Sequence, residues 1–144
     1  MSVTRISEST VVPAPLADVW AKVRNTDFSW WGLVKNVELK DAKSASEVGG
    51  ERRITFKDGT VQVARIVELS DLEHFVTYEF VESDPPVGYL SAIHTLRLHH
   101  VTSDNTTFVE WSTEFSSDAG QAIIQDSSFK RKDGLQDLVR AVHK

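Results

Sequence analysis

The sequence predicts an α+β fold: a curved antiparallel seven-stranded sheet wrapped around one long C-terminal helix, with two short helices between the first and second strands. Three observations carry this expectation: a helical apolar stripe close behind a first strand-like stretch, a run of six strand-like stretches joined by short turn-rich links, and a tail with helical spacing. Sequential strands with short links pair antiparallel. A single helix laid across a strongly curved sheet cannot fill its concavity everywhere, so a cavity is expected beneath it.

The elements follow in order. Residues 3–12 are rich in Thr, Ser, Ile and Val and read as a strand, which Pro13 and Pro15 end. Leu16, Val19, Trp20 and Val23 then fall on one helical stripe, and Pro15 suits the first helical turn because its missing N–H has no partner there. Asn25, Thr26 and Asp27 supply turn and cap residues for a second short helix, which carries the pair Trp30-Trp31. Strands are expected over 34–39, 51–56, 61–69, 74–82, 89–100 and 106–115. Gly49-Gly50 allows a sharp turn, and Asp58-Gly59 is a hairpin signal of the kind whose central residues take positive φ. The tail from about 118 to 143 places Ile124, Leu135, Leu138 and Val142 at helical spacing. Gly134 in its interior makes sense where the helix backbone lies close to the sheet.

A chain of 144 residues fits one compact domain, taken as 1–144, with enough length to bury a core. It has no cysteine, which removes disulfides, thiolate nucleophiles and zinc–thiolate sites. The net charge of −5 and the scattered basic residues argue against nucleic acid as a partner. Lys130-Arg131-Lys132 reads as a solvated helix face rather than an anion site. Without a leader-like start or an apolar run long enough to span a membrane, the expectation is a soluble cytoplasmic protein, monomer or homodimer. Neither a metal-ligand spacing nor a phosphate-cradling glycine loop nor a nucleophile elbow is present, so no cofactor is expected.

The element order resembles the START-like (SRPBCC) superfamily with its helix-grip fold, as do Pro13-Ala14-Pro15 with Val19-Trp20, Gly49-Gly50-Glu51-Arg52-Arg53, Pro86-Val87-Gly88-Tyr89 and Glu110-Trp111-Ser112. That superfamily includes the birch pollen allergen, the abscisic acid receptors, lachrymatory factor synthase and the polyketide cyclase/dehydrase group. The resemblance covers nearly the whole chain and is nearest the branch of the last two. It implies a hydrophobic-ligand cavity, assigns Arg53 to that branch's arginine and Tyr78 to a lining aromatic, and gives Glu110 the place of a ligand-network glutamate in the receptors. The chain departs from the branch at Ala64, which stands where a glutamate serves proton transfer, and at Leu90, which replaces a cavity tyrosine beside Tyr89. Carriers, receptors and enzymes share this fold, so the resemblance alone does not name an activity.

Several residues are candidates for chemistry. Alternation puts Leu90, Ala92, His94, Leu96 and Leu98 on one side of a strand, with His94 alone among apolar neighbours. It reads either as a general base or hydrogen-bond anchor in the cavity, or as a core histidine satisfied by a neighbouring strand. On the last strand Trp111 and Phe115 share the face that periodicity sends inward, whereas the resemblance sends Glu110 there; Glu110 otherwise belongs on the surface near Arg97. Arg53 has the same ambiguity, because Ile54 and Phe56 alternate with it. Of Trp30 and Trp31, one ring is expected to close the core and the other to line the pocket, with Pro85-Pro86-Val87-Gly88 at its entrance.

The leading functional expectation is a protein that holds a small hydrophobic, aromatic or polyketide-like molecule. Trp30, Trp31, Tyr78, Phe80, Tyr89, Leu90 and Leu96 form the walls in that reading, and His94, Arg53 and Glu110 are the polar anchors. A second is an enzyme of cyclase, dehydratase or lyase type, in which His94 moves a proton, Arg53 steadies an enolate and Glu110 pairs with His94. A third is a protein-interaction domain that docks through its sheet edge.

Overall fold

The computed structural model describes residues 4 to 142. In chain order it contains β1 (Thr4–Val12), α1 (Leu16–Val23), β2 (Val34–Lys40), β3 (Glu51–Phe56), β4 (Val61–Ser70), β5 (Phe75–Asp84), β6 (Ala92–Val101), β7 (Thr106–Phe115) and α2 (Gln121–Val142). The strands form one antiparallel sheet in the order β1-β7-β6-β5-β4-β3-β2. Only the step from β1 to β2 crosses the sheet, and α1 lies in that crossover. The expected strand at Val3 and the last residue of the expected tail helix, His143, lie outside the described residues.

The second short helix is not formed. Thr26 and Phe28 take left-handed φ values of 48° and 49°, which no right-handed helix accommodates. Residues 24–33 run instead as linked turns, closed by Thr26 N–H to Val23 O, Trp31 N–H to Phe28 O and Val34 N–H to Trp31 O. Asp27 Oδ1 accepts the Ser29 N–H at 3.1 Å, the local bond by which Asp competes with helix formation. The Asp58-Gly59 hairpin is present, but only Gly59 has positive φ (93°), and the Asp58 carboxylate accepts the Thr60 N–H. That fits a three-residue loop with one left-handed glycine rather than the two-residue turn. The strand expected from residue 89 starts at Ala92, because the amides of Leu90 and Ser91 bond to Asp118 and Ser116 in the approach to α2.

Alternation along the central strands produces the core. Val76 and Tyr78 of β5, Ala92, His94, Leu96 and Leu98 of β6, and Val109, Trp111, Thr113 and Phe115 of β7 are all buried. They meet Leu135 and Leu138 of α2. Trp111 is the hub of an aromatic cluster, with Phe28, Trp30 and Trp31 at centroid distances of 6.1, 5.5 and 5.0 Å. Gly134 lets α2 approach that hub: a Cβ there falls 2.8 Å from Trp111 Cζ3 and 3.0 Å from Trp31 Nε1. The Gly32 amide donates to Asp137 at 2.8 Å and ties the tryptophan segment to the same helix.

Candidate functional site

Between the concave face of the sheet and the N-terminal half of α2 lies a cavity of about 360 Å³. Its apolar wall comes from Trp31, Phe56 of β3, Tyr78 and Phe80 of β5 and Ile123 of α2. The loop Pro86 to Tyr89 and the polar side chains of Asp58, Asp126 and Lys130 stand at its mouth. Gly88 packs so tightly on Ile123 that a Cβ there would lie 2.8 Å from Ile123 Cδ1. The volume is near the lower end of the range for small-molecule sites.

One end of the cavity is polar. His94 and Arg131 are both in its wall and both buried, at 2% and 6% exposure. Arg131 Nη2 lies 2.6 Å from His94 Nδ1, and the Thr113 hydroxyl approaches the same nitrogen at 2.9 Å. A guanidinium has no acceptor, so Nδ1 must offer its lone pair and the proton of the neutral imidazole sits on Nε2. Burial, and then the nearby Arg131 charge, push the His94 pKa well below its ordinary value. The imidazole stacks on Tyr78 at 4.9 Å and meets the Phe80 ring edge-on at 5.0 Å.

The remaining polar groups at this end are phenols. Tyr78 Oη accepts the Trp111 N–H at 3.1 Å, and burial pushes its pKa up to about 12. Burial also raises Tyr89, which lies close enough to Arg131 to interact with its charge. Arg131 donates through Nη1 to Ser127 O at 3.2 Å and sits 5.2 Å over the Trp111 ring. Burial lowers its pKa, although an arginine retains its charge under such pressure. No carboxylate among the described residues is within ion-pair distance of it, and its Nε, like His94 Nε2, has no partner.

The structure places the other expected site residues differently. Tyr78, Phe80, Tyr89, His94 and Trp31 are brought together around the cavity, whereas Trp30 and Leu96 pack in the core away from its wall. Arg53 is a correction: it is exposed on the outer face, 3.7 Å from Glu38, because Arg52, Ile54 and Phe56 take the inner positions of β3. Glu110 is also a correction. It lies on the outer face opposite Arg97 and accepts a hydrogen bond from Ser7 at 2.9 Å, since Trp111 and Val109 claim the inner face. Leu90 is 89% exposed on the entrance loop and lines nothing. Lys130-Arg131-Lys132 is a solvated face only at its two lysines.

Arg131 is the residue that sequence reasoning missed. Its signal was present: it precedes Leu135 by four residues and Leu138 by seven, so it lies on the apolar stripe of the helix. A second buried arginine, Arg52, bonds through Nη1 to the carbonyl of Asn25 at 2.5 Å and the hydroxyl of Thr26 at 2.6 Å. It pins the tryptophan segment to β3 and faces Ala64 across the β3–β4 ladder. Among the described residues no group of three or more His, Asp or Glu side chains gathers to hold a metal, and no helix is long and apolar enough to cross a membrane.

A curved seven-stranded sheet closed by a long C-terminal helix over an internal cavity defines the START-like, helix-grip class of protein. Within it, the chain belongs to the polyketide cyclase / dehydrase and lipid transport family, whose model matches residues 3–142. A protein from Nitrosospira multiformis is 28% identical with a TM-score of 0.84, and the match covers 96% of each chain. XoxI from Bacillus cereus is 21% identical over 98% of this chain and 96% of its own, again with a TM-score of 0.84. Ginseng major latex-like protein 151 from Panax ginseng shares the fold at 15% identity, 97% coverage of both chains and a TM-score of 0.77. No curated protein compared with the chain matches it.

Proposed function

We propose that this protein binds a small, largely aromatic molecule in the cavity between its sheet and α2. The observation that carries the reading is an aromatic wall ending in a buried group of convergent polar side chains, His94, Arg131, Tyr78 and Tyr89. This is the usual division of labour in a ligand pocket: apolar area supplies affinity and a few fixed polar groups supply orientation. The family's description as cyclase, dehydrase and lipid transport is in keeping with a ligand of this kind.

Binding is favoured over proton-transfer catalysis for a specific reason. The only lone pair of the neutral His94 ring faces Arg131, which leaves no free base at the buried end of the cavity, and Arg53 and Glu110 stand on the opposite face of the sheet. Titration with N-phenyl-1-naphthylamine, a neutral dye that brightens in apolar surroundings, tests the reading. Saturable binding to the wild type, weakened at least tenfold by the cavity-filling substitution Ser127→Trp, is the expected result. Binding that is absent, or unchanged in the folded variant, rejects it.

A further inference from the structure

We infer that the ligand of this cavity carries a carboxylate, received at the end formed by Arg131 and His94. The inference rests on the binding reading above and specifies the chemistry of the molecule bound. Its first support is charge. Arg131 is buried, no carboxylate among the described residues pairs with it, and its nearest polar neighbours, His94, Ser127, Tyr78 and Tyr89, are neutral. A buried cation without an anion is costly, and an anionic ligand removes that cost on binding.

The second support is the inventory of donors. Arg131 Nε–H and His94 Nε2–H are buried in the cavity wall with no acceptor, on two groups that touch one another through Nη2 and Nδ1. The Tyr78 hydroxyl accepts from Trp111 and keeps its own hydrogen to give. Residues at this end of the cavity therefore carry donors with their acceptors missing, which suits the two charged acceptor oxygens of a carboxylate better than the single neutral acceptor of an alcohol or amine. The carboxylates at the mouth do not cancel this field: Asp58 and Asp126 are both exposed to solvent, and Lys130 pairs with Asp126 at 2.8 Å and attracts Asp58, so water and a cation screen them from the buried end. The wall around the polar end is ring faces and edges, Tyr78, Phe80 and Tyr89, so the body that bears the carboxylate is flat and apolar.

The test compares 2-naphthoate with its neutral isostere 2-naphthamide by isothermal titration calorimetry, with N-phenyl-1-naphthylamine as a control for the cavity itself. The wild type is expected to bind the naphthoate at least tenfold more tightly than the amide. In Arg131→Gln that preference should fall below threefold while amide binding persists; His94→Phe, which deletes one of these donors, should narrow it in the same direction. Equal or tighter binding of the amide by the wild type overturns the inference and leaves the cavity reading standing. So does a preference that survives both substitutions, and so does binding of the dye when neither naphthyl compound binds. If none of the three binds, the cavity reading fails and the inference fails with it.

Discussion

The Nη2 of Arg131 and the Nδ1 of His94 are 2.6 Å apart, across the interface between α2 and β6. Two groups that are both cations in acid are thus in contact inside the protein, and the contact is tolerable only while the imidazole is neutral. That single relationship sets the tautomer of His94, turns its lone pair toward Arg131 and marks the polar end of the cavity.

The first prediction concerns that proton. Imidazole nitrogen NMR should show His94 with Nε2 protonated and Nδ1 bare, and without titration near pH 6.5. Because the folded pKa is depressed, the unfolded chain takes up this proton first, so the contribution to stability is whole above about pH 6.5 and is lost as pH falls below it. Urea unfolding should lose up to about 1.4 kcal/mol per pH unit from this residue below pH 6.5. The slope should flatten in His94→Gln; an unaltered slope would show that other groups carry the acid sensitivity.

Gly134→Ala should destabilise the protein even though it improves helix propensity. Alanine contributes about 1 kcal/mol over glycine within a helix, but here its methyl meets two buried tryptophans at 2.8 and 3.0 Å. Overpacking of this kind costs about 1–3 kcal/mol. Chemical denaturation should therefore give a net loss, with the near-ultraviolet circular dichroism of Trp31 and Trp111 altered. A gain in stability would mean that the helix moves outward without penalty.

Tyr78→Phe should cost about 1–3 kcal/mol by leaving the buried Trp111 N–H without an acceptor. The same variant has an alkaline signature. Tyr78 holds its proton to about pH 12, so the folded state resists ionisation that the unfolded chain undergoes near pH 10, and stability falls as pH rises through that window. Unfolding curves recorded from pH 9 to 11 should fall less steeply for the variant than for the wild type.

Arg53→Ala and Glu110→Gln should be nearly silent. Both side chains are on the outer face of the sheet, where substitutions usually change stability by no more than about 0.5 kcal/mol. Their affinity for N-phenyl-1-naphthylamine should equal that of the wild type. A tenfold loss in either would return that residue to the site.

The order of strands and helices was legible because it depends on local patterns: the stripe of Leu16, Val19, Trp20 and Val23, the turn residues between strands, and the helical spacing of the tail. Alternation also sent Trp111 and Phe115 inward, and both are fully buried. Where alternation and the family resemblance disagreed, alternation was right: Ile54 and Phe56 alternate with Arg53, and together with Arg52 they take the inner face of β3 while Arg53 is exposed. The second helix was not legible in the same way: residues 25–27 suit either a helix cap or a turn, and the burial of Phe28, Trp30 and Trp31 against Trp111 selects the left-handed turns.

The chain by itself determined that a long helix would cover a curved antiparallel sheet and that His94 would share one strand face with Ala92, Leu96 and Leu98, in the cavity or in the core. Only the tertiary structure decided what His94 meets there. Its partner comes from a basic triplet 37 positions away; the helical stripe marks Arg131 as the inward member, but nothing in the sequence says which strand residue it meets. A helical face is a local property, whereas the group across a cavity depends on how two distant elements pack.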